Sequence, residues 1–379
     1  MQKKKVLIFI DWYLPGYKAG GPIQSVANLV QHFKDEFDFS IITRDTDYCE
    51  TTPYTSVKSD QWNQINGVNI FYISQKNLSH KTIKGIIRKT EFDTVYLNGI
   101  YSLYFTLLPL VFLRKKHNKR VVIAARGMLA ESALGVKKTK KAFFLRAVKV
   151  LNLFDKVIFH ATNEIEKKDI RKSLGEKYEV RTAANLPQKT TVLEFPKREK
   201  GKNVLRLVNI ARIAPEKNLL YALQVLKSVT QNVEFDFYGP VYNQEYWNQC
   251  KSAMDALPQN VRVIYKGSVE SDKVLDVLSA YHFLFMPTQG ENFGHIILQS
   301  LMTGCPVIIS DQTPWKNLKE KKIGWDLPLD NRGDFAEKID ELVRMTQDDY
   351  NKLSRSAFDY ANTYVNNTEI IEQNRHLFV

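Results

Sequence analysis

Apolar residues fall in short, nearly unbroken runs along the first half of the chain, at 6–10 (VLIFI), 39–43, 68–73, 94–98, 120–125 and 156–160. Runs of that length, bounded by turn residues, read as strands buried on both faces. Between most of them the apolar positions recur at helical spacing, at 22–33, 81–89, 103–116 and 163–174. Strand and helix therefore alternate, which predicts a parallel sheet covered on both faces. Asn66-Gly67 is an exception: the pair favours a tight hairpin, so one antiparallel excursion is expected there.

The alternation stops at 185–203, NLPQKTTVLEFPKREKGKN, where two prolines and a run of charges leave little periodicity. This segment reads as a linker. Beyond it come strands at 204–210, 235–238, 261–265, 283–287 and 305–310, with helices at 218–229, 246–256, 273–279, 294–302 and 332–345. A chain of 379 residues also exceeds the size at which one core stops growing. The expectation is an α/β protein of two doubly wound, Rossmann-like domains facing each other across a cleft: 1–190, 191–360, and a C-terminal segment 361–379 packing back on the first domain. Ligands of such sheets sit at the carboxyl ends of the strands.

Composition narrows the setting. With 44% hydrophobic and 25% charged residues the chain reads as soluble and folded. No apolar run approaches the ~20 residues of a bilayer span; the run at 103–113 is broken by Pro109 and ends in Arg114, Lys115 and Lys116. No signal peptide precedes the first strand, which begins at Lys5, so a cytoplasmic location is expected. Cys49, Cys250 and Cys305 have neither metal spacing nor an evident pairing, in keeping with a reducing compartment.

The net charge of +13 is uneven: residues 1–190 hold 32 Lys and Arg against 17 Asp and Glu, the remainder 22 against 24. The densest stretch, 133–154, sets Lys137, Lys138, Lys140, Lys141, Arg146 and Lys149 among Phe143, Phe144, Leu145, Val148 and Leu151. It suits an amphipathic helix on anionic headgroups, and equally a core-packed helix with a solvated basic face. No nucleic-acid module accompanies it, so nucleic acid is not an expected partner.

Three places hold candidate chemistry. In 290–311, GENFGHIILQSLMTGCPVIISD, Glu291 stands just before a turn, Phe293 to His295, that presents amides at a helix N-terminus and so favours an anion. A carboxylate beside an anion site fits a ligand with both hydroxyl and phosphate groups. Arg212 and Lys217 lie just past a strand end with Pro215 and Glu216 opening the helix between them; two such cations can clamp a diphosphate, though alone they also read as a solvated pair. The loop after the first strand carries Gly16, Gly20 and Gly21 before Pro22, at the first helical position, which permits close backbone approach to a ligand or merely a tight turn. Asp45 and Asp47 spell the DxD of metal-dependent transferases, yet the surrounding alternation favours plain loop chemistry; His160, at a strand end, reads as structural.

Taken together, the Arg212/Lys217 pair, ENFGH with its helix to Gly304, the glycine loop, HATNEIEKKDIRKSLG from His160, and ISDQTPW to Trp315 resemble the retaining GT-B glycosyltransferases of family 4 over nearly the whole chain. The resemblance implies the GT-B fold and transfer of a sugar from a nucleotide-diphosphate sugar to an acceptor hydroxyl, without metal or other cofactor. It gives Arg212, Lys217 and Glu291 the central roles, and makes Gly20, Gly21, Asn292, Phe293, Gly294, His295 and Gln299 donor-binding residues. Asn98, Tyr101 and Arg126, at strand ends of the first domain, become acceptor-side candidates. The chain departs from the family pattern twice: Gln299 replaces a second glutamate, and Arg126 stands where many members carry a histidine. An amide still bonds a hydroxyl, so retuned donor binding is expected, whereas arginine stays protonated and cannot serve as a base. The basic first half points to a lipid-linked glycan acceptor of bacterial surface polysaccharide assembly, met by a hexosyltransferase-type enzyme peripheral on the inner face of the membrane. A soluble acceptor, or a silent sugar-nucleotide-binding assembly protein, are the alternatives.

Overall fold

The computed structural model describes residues 3–114, 119–130, 144–146, 148, 150–189, 194–201 and 203–379. The chain forms two compact units, Met1–Lys189 with Asn367–Val379, and Thr190–Asn366. The first unit is built on strands β1 (Lys4–Phe9), β2 (Phe37–Arg44), β3 (Trp62–Ile65), β4 (Val68–Ile73), β5 (Thr94–Asn98), β6 (Arg120–Ala124), β7 (Val157–Ala161) and β8 (Glu179–Thr182). Their order is β3-β4-β2-β1-β5-β6-β7-β8. All neighbours are parallel except β3 and β4, which turn at Asn66-Gly67 with Ile65 opposite Val68.

Helices α1 (Gly21–Phe33), α2 (His80–Lys89), α3 (Leu108–Leu113) and α4 (Glu164–Leu174) belong to this sheet. Ser79 and Asn163 cap α2 and α4 by accepting from the amides of Thr82 and Glu166, satisfying donors the helix itself leaves open. The single helix expected over 103–116 is instead a wide turn, Leu103–Leu107, followed by α3. Pro109 lies at that junction and can give no backbone hydrogen bond to the preceding turn.

The second unit holds β9 (Leu205–Ile210), β10 (Val233–Tyr238), β11 (Val261–Tyr265), β12 (Phe283–Met286), β13 (Val307–Ser310) and β14 (Gly324–Leu327), in the order β11-β10-β9-β12-β13-β14. All these pairs are parallel. Its helices are α5 (Leu219–Leu226), α6 (Gln244–Asp255), α7 (Val274–Ser279), α8 (His295–Met302), α9 (Arg332–Arg344) and α10 (Gln347–Val365). Alternate strand residues face opposite ways and make two apolar layers. One joins Phe235, Phe237, Phe283 and Phe285 to α5 and α9, and the other joins Leu284, Met286 and Ile309 to α8.

Two expectations change. The end of the linker is not free chain, because Arg198 and Lys200 are buried in the second unit. The C-terminal return starts at Asn367 rather than 361, because α10 runs unbroken to Val365 and buries Ala357, Phe358 and Ala361. Helix α11 (Thr368–Arg375) then joins the first unit, where Asn374 donates to the Ala184 carbonyl at 2.8 Å and Phe378 meets Phe37, Phe39 and Tyr96.

Much of the basic run at 133–154 lies outside the described residues, including Lys137, Lys138, Lys140, Lys141 and Lys149. Of its described part, Phe144 packs on Tyr101 and Val148 is buried, while Val150 and Leu151 are 74% and 55% exposed. Among the described residues no helix is long and apolar enough to cross a membrane.

Candidate functional site

In the second sheet β9 lies between β10 and β12, so the connections leave it in opposite directions and a crevice opens at the carboxyl ends of β9 and β12. The sequence places its two motifs there. Arg212 follows β9, and the loop holding Glu291 follows β12. Backbone carbonyls accept three hydrogen bonds between the loops: Gln289 N–H and Thr288 Oγ1 donate to the Glu216 carbonyl at 3.0 and 3.1 Å, and Asn218 Nδ2 donates to the Pro287 carbonyl at 2.9 Å.

Pro215 and Glu216 do not open the α-helix as the sequence implied, and Lys217 is not in it. Lys217 closes a short 3-10 turn, Pro215–Lys217, and α5 starts only after Asn218, which takes the left-handed conformation at φ 62°. That turn brings Lys217 Nζ to 2.5 Å from Glu291 Oε1, joining residues 74 positions apart. The two side chains are 18% and 13% exposed. Arg212 pairs with Glu216 at 3.3 Å in a more open setting.

Helix α8 starts directly after Gly294, whose φ of 78° suits glycine; a Cβ there would lie 2.8 Å from Ile297 Cδ1. Among the described residues no side chain caps α8 at Gly294. Among the described residues the amides of Phe293, Gly294 and Ile296 have no acceptor, so they are donors at the positive end of the helix. The turn is fixed from below: Trp315 Nε1 donates to the Phe293 carbonyl at 2.5 Å and its ring packs on Phe293. Asn292 is half-buried in the turn, and His295 is buried with its ring edge-on to Phe293, 4.8 Å between centroids. Gln299 lies one turn further along the same helix face, 6% exposed, and its amide makes no hydrogen bond among the described residues. An amide buried to that extent has a reason to meet a polar ligand.

The first unit has its own switch point, since β1 lies between β2 and β5. Gly20, at φ 72°, precedes α1; Gly21 is the first helical residue and Pro22 the second, one place later than expected. Asp47 holds this loop by accepting from the amides of Tyr17 and Lys18 at 2.9 and 3.2 Å, and Asp45 accepts from Ser59 Oγ at 2.7 Å, so the DxD pair is loop structure.

Asn98 and Arg126, at the ends of β5 and β6, meet. Arg126 donates from Nε to Asn98 Oδ1 at 2.8 Å, from one terminal nitrogen to Asn185 Oδ1 at 2.6 Å, and from the other to Tyr96 Oη at 2.8 Å. All three acceptors are neutral, so Arg126 is part of a hydrogen-bond network rather than an ion pair. Tyr96 in turn donates to His160 Nδ1 at 2.8 Å, and His160 Nε2–H donates to the Ala183 carbonyl at 2.7 Å. Burial, aided by the Arg126 charge, lowers the His160 pKa to about 3, which makes it a neutral structural residue. Tyr101 is half-buried, with its hydroxyl donating to the Met128 carbonyl at 3.4 Å.

Asp11 was missed in the sequence. It stands two residues past β1, accepts from Ser102 Oγ at 2.9 Å, and lies 3.9 Å from Arg44; burial raises its pKa. The available signal was an acidic residue straight after an apolar strand. Among the described residues no group of three His, Cys, Asp or Glu side chains is placed to hold a metal ion.

The architecture has solved counterparts. Sucrose-phosphate synthase from Thermosynechococcus elongatus superimposes with a TM-score of 0.74 at 15% identity, covering 100% of this chain and 98% of that one. Anabaena HepE, solved with UDP and glucose, gives 0.72 at 13% identity, covering 99% and 98%. A TarM variant of S. aureus, solved with fondaparinux, alpha-GlcNAc-glycerol and UDP, gives 0.68 at 13% identity, covering 99% of both chains. At such identities the likeness is one of fold, and that fold is GT-B, with two Rossmann-like parallel-sheet units. A sequence comparison with curated proteins finds no match. Residues 192–359, which hold Arg212, Lys217, Glu291 and Gln299, match the family model of the glycosyl transferases group 1.

Proposed function

We propose that the protein is a retaining glycosyltransferase of the family 4 kind, moving a hexose-type sugar from a nucleoside-diphosphate sugar to an acceptor hydroxyl. The observation that carries this reading is the 2.5 Å contact of Lys217 with Glu291 beside the uncapped start of α8. Cation, carboxylate and free amides then lie at one switch point, as a ligand with both phosphate and hydroxyl groups requires. The group 1 match over this segment supports it, as do the UDP and UDP-glucose complexes of HepE.

Lys217, Arg212 and the α8 amides stabilise the negative charge that grows on the departing diphosphate, the work a metal performs in other transferases. Glu291 accepts from sugar hydroxyls, and the Gln299 amide is available to a further polar group of the donor. Among the described residues no side chain is placed as a covalent nucleophile; the acceptor attacks from the face the diphosphate leaves, and a phosphate oxygen takes its proton. Arg126 holds Asn98 in place on the acceptor side. The acceptor is a lipid-linked glycan of bacterial surface polysaccharide assembly, reached from the cytoplasmic face of the membrane. The basic first half of the chain and the exposed Val150 and Leu151 support this.

The test is transfer and donor hydrolysis over a panel of nucleotide sugars, with and without lipid-linked acceptor. Turnover of at least one donor is expected, and Lys217→Ala should lower it about 10²–10³-fold in a protein that still folds. Absence of binding and turnover for every donor would overturn the transferase reading, and full activity of Lys217→Ala would remove the clamp from it.

A further inference from the structure

Lys217 and Glu291 come from loops that three hydrogen bonds hold together, those to the Glu216 and Pro287 carbonyls, so their contact is fixed by the scaffold. The ammonium and the carboxylate lie 2.5 Å apart and are mostly shielded from solvent. An anion arriving at Lys217 therefore meets a carboxylate already in place. The ammonium has three protons and can keep Glu291 while reaching a phosphate oxygen, so the pair need not break. The repulsion between Glu291 and that phosphate nevertheless remains, and in a partly buried site neither water nor salt screens it fully. A ligand that also brings hydroxyl groups to Glu291 alters the balance, because O–H donors compensate the carboxylate directly.

On the reading of this site as a nucleotide-sugar pocket, we propose that Glu291, acting beside Lys217, is the residue that discriminates the nucleotide sugar from the bare nucleoside diphosphate. The sugar nucleotide satisfies both charges of the pair. Once the sugar has been transferred, the remaining diphosphate faces a carboxylate with no hydroxyl partner, binds weakly and leaves. The Arg212–Glu216 pair does not do the same, because at 3.3 Å and with Glu216 about half exposed it is screened by water.

The test is calorimetric titration of UDP, GDP, ADP and dTDP, each with a corresponding sugar nucleotide, into the full-length protein, Glu291→Gln and Glu291→Asp. Replacing the charge by an isosteric amide should tighten the nucleoside diphosphate about tenfold and weaken the sugar nucleotide. Glu291→Asp keeps the charge but withdraws it by one methylene, so its nucleoside diphosphate affinity should fall between the two. It also decides the matter if the glutamine variant does not fold. Should the folded variants bind the nucleoside diphosphate no more tightly than the parent while nucleotide binding persists, the discrimination proposal alone is overturned. If no nucleotide binds the parent or either variant, the pocket reading fails, and the proposal falls with it.

Discussion

His160 takes its protonation state from its surroundings, and that has a consequence for stability. Its Nδ1 is committed to Tyr96 and its Nε2–H to Ala183, and the Arg126 guanidinium stands nearby, so the folded ring holds no second proton until about pH 3. In the unfolded chain the same ring protonates near pH 6.5. Between those values the unfolded state binds a proton that the folded state refuses, so stability is complete above about pH 6.5 and falls as the pH drops towards 3. His282 in the second unit, lowered to about 4 by burial and by Arg206, acts with the same sign. Urea unfolding at pH 7 and pH 5 should show a loss approaching about 1.4 kcal/mol per pH unit for each histidine. His160→Gln should flatten the share of the first unit, and an unchanged slope in that variant would contradict the assignment. The network around His160 also shows what single residues conceal in sequence. Asn98 and Arg126 are recognisable as strand-end polar residues, but they meet only because β5 pairs with β6. Lys217 and Glu291 depend likewise on β9 pairing with β12.

Helix α11 and the residues after it fill a place in the first unit that its own first 189 residues leave apolar. Leu377 and Phe378 are almost wholly buried, and Phe378 touches Phe37 and Phe39 of β2 and Tyr96 of β5. The Arg375–Glu36 pair beside them is partly exposed and adds little. Phe378→Ala should therefore destabilise the first unit by about 3–5 kcal/mol, seen as an earlier transition of that unit in calorimetry while the second keeps its own. A single unshifted transition would show that the helix is not structurally required. Central strands such as β1 and β5 were legible because a strand buried on both faces must be apolar throughout. The edge strands β8, EVRT, and β14, GWDL, were not, being short, mixed in polarity and paired on one side only. The end of the linker misled for the opposite reason, since a charge run normally points to solvent. Here Arg198 donates to the Leu278, Ser279, Thr303 and Gly304 carbonyls, and Lys200 to those of Val343 and Met345. These carbonyls lie at the C-terminal ends of α7, α8 and α9, where a cation is favoured.

Across the whole molecule, charge and chemistry are divided between the halves of the chain. The +13 charge belongs to the first 190 residues, with 32 basic against 17 acidic side chains, whereas Arg212, Lys217 and Glu291 lie in the nearly neutral remainder. A basic excess that served the donor phosphates would be concentrated around the clamp, so the division favours a second anionic partner for the first half. Anionic lipid fits: each basic residue near such a surface contributes roughly 1 kcal/mol, and apolar residues as exposed as Val150 and Leu151 add insertion to attraction. The protein should therefore sediment with vesicles containing phosphatidylglycerol and not with phosphatidylcholine alone, and 0.5 M salt should release it, since a Debye length of about 4 Å leaves little long-range attraction. Replacing Lys137, Lys138, Lys140 and Lys141 by glutamine removes four charges from the densest stretch and should weaken vesicle binding about 100-fold or more. Nucleotide binding should be unchanged in that variant, because its substitutions all lie outside the second unit. Equal binding to neutral and anionic vesicles, or a variant that sediments like the parent, would assign the basic half to a soluble acceptor instead.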